Sequence, residues 1–261
     1  PPTPLPAMLL LAPSKGQTFA PIDPHPTTFQ PEFPDQSGML IQALARLDGP
    51  ALAKLMQLSP ALTEQTLDKI RALATDAAPA RPALFAFSGE AFRSLDAASL
   101  NEADLQFAQA QLRILSGLYG VLRPFDLIRP HRLEMATRLA VGTAKNLYDF
   151  WGELVTASLN RDLAREETPV VLNLASDEYA RVVQKKRLTA PWLDIQFKEE
   201  SNGRLRSVAI HAKRARGLMA RFILRERITR AADLRAFSDS GYRFRPELSS
   251  EWSWVFARPS T

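Results

Sequence analysis

Three short apolar runs, residues 8–12, 83–87 and 169–174, each give way to polar residues and are separated by long segments of helical spacing. Strands buried on both faces read as continuous apolar runs, and helices between them are the crossovers that a parallel sheet needs. The last third of the chain differs. Residues 193–198 and 206–211 alternate in polarity around Ser201-Asn202-Gly203, a hairpin signal, and residues 254–257 supply a closing strand. The pattern predicts a mixed α/β fold: a central mixed sheet, largely parallel, flanked by helices.

Helices are expected over residues 38–47, from Gly49-Pro50 onward, and over residues 59–75, where Ser59 caps and Pro60 takes the first position. With 261 residues, 46% of them hydrophobic, and no Gly/Ser-rich or charged linker, the chain reads as one domain over residues 8–261. Residues 1–7 are proline-rich and precede Met8, so they read as an N-terminal extension or cloning remnant. The proline-rich residues 21–34 are expected to run over the surface as a long loop. Without cysteine there are no disulfides or thiolate metal sites, and His25, His131 and His211 are too scattered for a preformed metal site. No cofactor is implied. No apolar stretch approaches the ~20 residues that cross a bilayer, and the N-terminus lacks the pattern of a signal peptide. A cytoplasmic monomer is the resulting expectation.

The net charge of +5 conceals an asymmetry. Residues 181–230 hold fourteen Lys/Arg against four Asp/Glu, net +10, while the remainder holds 19 against 24, net −5. A concentrated positive region on an otherwise acidic molecule points toward a polyanion. Within it, a helix is expected from about Lys213, with Ala215, Leu218, Met219, Phe222 and Ile223 on a core face. Lys213, Arg214, Arg216, Arg221 and Arg225 flank a strip of small residues, Gly217 and Ala220. A phosphate chain could lie in that strip between two rows of donors, and Lys185-Lys186-Arg187 upstream adds to the same field. The plain alternative is a solvated basic face.

Residues 103–115 place Leu105, Ala108, Leu112 and Leu115 at helical spacing, which predicts a helix ending at Gly117. The turn Gly117-Leu118-Tyr119-Gly120 and the residues from Val121 to Arg123 then complete a helix-hairpin-helix-like element, a device that grips DNA backbone without reading bases. A glycine C-cap over a buried Tyr119 is the alternative. Lys15 follows the first strand, where a lysine often faces an anion. Asn173-Leu174-Ala175-Ser176-Asp177-Glu178-Tyr179 follows the third, and Asp177 or Glu178 could serve there as a general base, unless Ser176 or Asp177 merely caps a helix. Arg132 and Glu134 read as an ion pair near the hairpin, and Tyr148, Phe150 and Trp151 as core or stacking aromatics.

Five motifs, read together, carry a family resemblance. Residues 116–124, Arg132-Leu133-Glu134-Met135, Tyr148-Asp149-Phe150-Trp151-Gly152, residues 173–179 and residues 213–219 occur in the order seen in the YaaA family of peroxide-stress resistance proteins. The resemblance runs from Met8 onward. It implies a cytosolic bacterial protein that limits unincorporated iron under hydrogen peroxide and so protects DNA and proteins. It further implies an α/β fold with a helix-hairpin-helix-like element and a basic, DNA-binding cleft. Two departures stand out. The family's opening Ser-Pro-Ala-Lys-Thr is here Ala12-Pro13-Ser14-Lys15-Gly16, and its Gly-x-x-Tyr is Gly89-Glu90-Ala91-Phe92. The residues supply no iron cage, so the implied iron limitation reads as indirect or as the work of scattered carboxylates.

The leading expectation is a sequence-tolerant DNA-binding protein in which Gly117, Gly120 and Arg123 hold one stretch of backbone and Lys213, Arg214, Arg216 and Arg221 another. Lys15, Tyr119, Arg132, Lys185, Lys186 and Gly217 complete the phosphate-binding set. The alternative is an enzyme acting on a nucleotide or nucleic-acid base, with Asp177 or Glu178 at the reacting centre. A third reading, iron sequestration, needs carboxylates converging on His131 or His211.

Overall fold

The computed structural model describes residues 7–22, 27–166 and 169–260; His25 and the expected extension up to residue 6 lie outside them. Strand β1 (Ala7–Leu11) leads into helices α1 (Pro34–Ala45), α2 (Gly49–Met56) and α3 (Pro60–Ala74), then β2 (Arg81–Pro82), α4 (Ala83–Ala86), α5 (Glu90–Leu95) and α6 (Glu102–Gln111). Strands β3 (Leu112–Ser116), β4 (Gly120–Leu122) and β5 (Leu127–Ile128) precede the long α7 (Leu147–Leu163), β6 (Val170–Asn173) and α8 (Asp177–Ala180). The last part holds β7 (Trp192–Ser201), β8 (Arg204–Arg206), α9 (Ala209–Arg225), β9 (Arg243–Phe244) and β10 (Ser253–Pro259).

The main sheet runs β4-β3-β1-β6-β7-β10-β9, with β8 paired to β7. Its spine, β3, β1, β6, β7 and β10, is parallel, and β4, β8 and β9 add antiparallel pairings. The architecture is therefore the mixed α/β arrangement with a mixed central sheet. Leu9 lies between Leu112 and Leu172, and Met8, Leu9, Leu10 and Leu11 are all buried, as a strand covered on both faces requires. Ala7 already pairs with Val170, so the last residue of the expected extension belongs to the sheet.

Local chemistry explains the helix starts. Asp48 caps α2 by accepting from the Ala51 N–H at 2.9 Å, Ser59 caps α3, and Asn101 with Asp104 forms a capping box on α6. The Ser201-Asn202-Gly203 hairpin forms, with Asn202 and Gly203 both at positive φ, the geometry that a tight two-residue turn demands.

Three element assignments differ from the sequence expectation. Residues 83–86 form a helical turn, not a strand; Ala83 and Leu84 donate to the carbonyls of Asp126 and Pro124. A short apolar run is compatible with either state, because burial on all sides erases the periodicity that separates them. The helix expected to reach Gly117 stops at Gln111, and Leu112–Ser116 is a fully buried strand beside β1. Its apolar residues happened to continue the helical spacing. The alternation expected through residue 211 stops at Arg206, and α9 starts at Ala209.

It follows that the helix-hairpin-helix-like element is a β-hairpin between β3 and β4. Its groups are turned inward. The Trp151 indole donates to the Gly117 carbonyl at 2.8 Å, and the Ser116 hydroxyl accepts from the Tyr119 N–H at 3.1 Å. A Cβ at Gly117 would run into the Leu133 carbonyl, and one at Gly120 would stand 2.7 Å from the Trp151 ring. These glycines admit close packing rather than a phosphate.

Candidate functional site

The chain leaves β1 toward β3 and leaves β6 toward β7, so the loops at the carboxyl ends of these two neighbouring strands diverge. Such a divergence opens a crevice where open α/β sheets place ligands. Here it holds a cleft of about 470 Å³, bounded by the loop after β1, the start of α5, the β3–β4 turn, residues 131–134, the β6–α8 junction and α9.

The cleft gathers Lys15, Gly117, Arg132, Glu178, Lys213 and Arg216 from the sequence-predicted set. Lys15 pairs with Glu134 at 2.8 Å, and Arg132 approaches the same carboxylate at 3.9 Å. Lys213 is exposed and Arg216 half-buried, and among the described residues neither has a carboxylate within ion-pairing distance. Burial lowers the pKa of Arg216, and Asp177 opposes that shift only in part. Lys69 in α3 is pushed below the ordinary lysine range by burial and by the Arg132 guanidinium, which adds a further cation beside this wall.

The remaining predicted cations lie elsewhere. Arg123 pairs with buried Asp126 at 2.8 Å, covers the Phe29 ring, and faces a separate cavity beside Met8. Lys185 pairs with Asp194 at 3.4 Å and stands over Trp192, while Lys186 is exposed outside the cleft. Arg214 pairs with Glu90 at 2.6 Å, and Arg221 holds Asp96 and the carboxyl end of α5. The cleft expected to be basic is mixed, lined by five Lys/Arg and three Glu. The strip at Gly217 and Ala220 is buried, and a Cβ on Gly217 would run into the Ala91 carbonyl of α5. Helix α5 therefore occupies the strip in which a phosphate chain was expected.

At the β6–α8 junction Ser176 takes the cap position but accepts no cap hydrogen bond, and it lines the cleft. Asp177 is exposed and off the cleft wall, so Glu178 is the carboxylate of this pair that faces it. Glu178 accepts from the Ala136 N–H at 3.2 Å. Tyr179 has its pKa raised by burial and then by the Glu178 and Glu134 charges, which keeps its phenol protonated. Tyr119, also buried and likewise raised, to about 12, accepts from the Arg129 N–H and does not line the cleft.

Sequence reasoning missed three contributors. Ser14 accepts from the N–H groups of Ser88 and Gly89 and so ties the β1 loop to α5. Gln17 and His131 also line the cleft, joined by a 3.1 Å hydrogen bond from the His131 backbone N–H to the Gln17 side-chain oxygen. The position of Gln17 two residues past Lys15 was the available signal, while His131 was read only as a candidate iron ligand. His211 instead pairs with buried Glu199 at 2.7 Å, and among the described residues no group of three or more His, Asp or Glu could hold a metal ion. No helix among the described residues is long and apolar enough to cross a membrane.

A family model described as peroxide stress protein YaaA matches residues 8–248. A UPF0246 protein of Desulfotalea psychrophila is 45% identical over 250 residues, covering 96% of this chain and 97% of its own length. UPF0246 proteins of Caulobacter vibrioides and Francisella tularensis subsp. novicida are 42% and 39% identical over 97% and 96% of the chain, and 99% and 100% of their own lengths.

Proposed function

Since the chain belongs to the peroxide stress protein YaaA family, we propose that it serves the peroxide stress response as a DNA-binding protein that holds backbone phosphates in the cleft between β1 and β6. It works in the cytoplasm as a monomer. The observation that carries this reading is the convergence of Lys15, Arg132, Lys213 and Arg216 from three separate segments on one crevice. Lys213 and Arg216 have no competing carboxylate to displace among the described residues. Limitation of unincorporated iron follows indirectly, because the open side chains of the cleft suit an anion.

Titration of a labelled duplex at rising salt tests this. Affinity should fall linearly on a log–log plot. Lys213→Ala with Arg216→Ala should weaken binding at least about tenfold and reduce the salt slope by about 2, one per lost phosphate contact. Binding that ignores both salt and the double substitution refutes the reading.

A second reading is favoured by one feature: Glu134, Glu178 and protonated Tyr179 share the same cleft with the cations. In an enzyme acting on a nucleotide or base, Glu178 would take a proton from the attacking group. Glu178→Gln should then leave DNA affinity intact while failing to complement a peroxide-sensitive deletion strain. Full complementation counts against it.

A further inference from the structure

We propose that the cleft takes one nucleoside monophosphate unit, its phosphate at Lys15, Lys213 and Arg216 and its base turned toward His131 and Gln17. The inference rests on the reading that the cleft holds phosphate, and adds what else the ligand must carry.

His131 is only 6% exposed, yet it lines the cleft. Its Nδ1 lies 2.7 Å from the Arg129 carbonyl, a contact that requires the proton on Nδ1. Nε2 is then a bare acceptor, and among the described residues nothing donates to it. Burial lowers the imidazole pKa to about 4, so the ring is neutral at neutral pH. His131 lines the cleft, so a ligand donor placed at that nitrogen replaces water there.

The neighbouring group has the opposite polarity. Because the Gln17 Oε1 already accepts from the His131 backbone N–H, its amide NH₂ is left as a donor. An acceptor on His131 and a donor on Gln17, both lining the cleft, match the amino group and ring nitrogen that adenine presents on its edge. The surroundings agree. Phe87 and Tyr119 stand edge-on to the imidazole at 6.3 and 5.2 Å, and Phe92 and Leu133 add apolar lining. A planar, mostly apolar ring with one polar edge fits such a wall, whereas the charged phosphate fits the cations. The volume of about 470 Å³ is that of a small-molecule site. The unit could arrive as a free nucleotide or as a nucleotide swung out of a strand.

Calorimetric titration of the full chain with AMP and with ribose 5-phosphate separates base from phosphate recognition. AMP should bind at least about tenfold more tightly, the discrimination expected of a two-point polar edge. Gln17→Met, at a half-buried loop position, and His131→Phe should each remove most of that preference while leaving ribose 5-phosphate unchanged, with thermal unfolding confirming that both variants fold. Equal affinity for the two compounds, or a preference untouched by either substitution, overturns the inference. Salt-dependent duplex binding without AMP binding also overturns it and leaves the DNA reading standing; AMP binding without duplex binding does the reverse. The source is read by competition. Displacement of AMP by a duplex with one unpaired adenine, more than by its fully paired counterpart, supports an extruded nucleotide, and equal or absent displacement supports a free one.

Discussion

Helix α9 carries two rows of cations with opposite fates. Lys213 and Arg216 open onto the cleft, whereas Arg214 and Arg221, across the line of Gly217 and Ala220, are committed to Glu90, Asp96 and the end of α5. Both rows belong to the same run of residues and carry the same charge. What separates them is the short helix α5, which packs on the small residues between them. A count of positive charge therefore overstates a binding surface whenever the acidic remainder of the chain folds back onto the basic part. Here that remainder supplies Glu90, Asp96 and Asp104, the last pairing with Arg227 at 3.3 Å.

His131 belongs to both classes, with Nδ1 committed and Nε2 open, and it yields the largest expected effect. Its folded pKa is lowered to about 4, so the native state disfavours the proton that the unfolded chain accepts near 6.5. The contribution is complete above pH 6.5 and is lost as pH falls from there toward 4, amounting to about 3 kcal/mol at about 1.4 kcal/mol per unit. Denaturant unfolding of wild type and His131→Phe between pH 4 and 7 should show a stability difference that shrinks by that order as pH falls. The subtraction removes carboxylates common to both proteins, including Asp126, whose pKa is raised by burial. Parallel curves would place His131 in a solvated site, and the contrast between its two nitrogens would disappear.

Next in size is Gly217→Ala. The added methyl meets a backbone carbonyl, which cannot swing aside as a side chain can, so α5 must shift as a whole. Overpacking of this kind costs about 1–3 kcal/mol, visible as a lower unfolding midpoint. An unchanged midpoint would mean that α5 rests loosely on α9, and that the strip between the cation rows is accessible after all.

Much of the sheet was legible because its central strands are continuous apolar runs; β1, β6, β7, its turn at residues 201–203 and β10 appear where the pattern places them, while β8 is shorter and earlier than the expected 206–211. The misread elements share a cause. Ala83, Leu84 and Ala86 and all of Leu112–Ser116 are buried, and a side chain surrounded by core carries no periodic record of whether its backbone is coiled or extended. The site was legible in proportion to charge: Lys15, Arg132, Lys213 and Arg216 stood out and do converge. Gly117 and Gly120 stood out for the wrong reason, since a glycine needed for close packing against Leu133 or Trp151 is indistinguishable in sequence from one needed by a ligand. Ser14, Gln17 and His131 gave too little because their value lies in long-range partners: Ser14 reaches residues 88 and 89, and Gln17 reaches residue 131.

The smallest effect sharpens the contrast most. Arg214→Ala and Arg221→Ala together remove two positive charges from α9, as many as Lys213→Ala with Arg216→Ala, so a purely long-range field would weaken DNA binding equally in both pairs. If contact decides, the α5-facing pair should lower affinity by less than about threefold, because its guanidiniums are already hydrogen-bonded to Glu90 and to the carbonyls of Leu95 and Asp96. Both pairs are partly buried, with Glu90 and Arg221 each 20% exposed at the side chain, so thermal unfolding should confirm that the double variant folds before affinities are compared. Measured side by side at one salt concentration, equal losses in the two double variants would erase the distinction between the rows and return α9 to the undivided basic face that its sequence suggests.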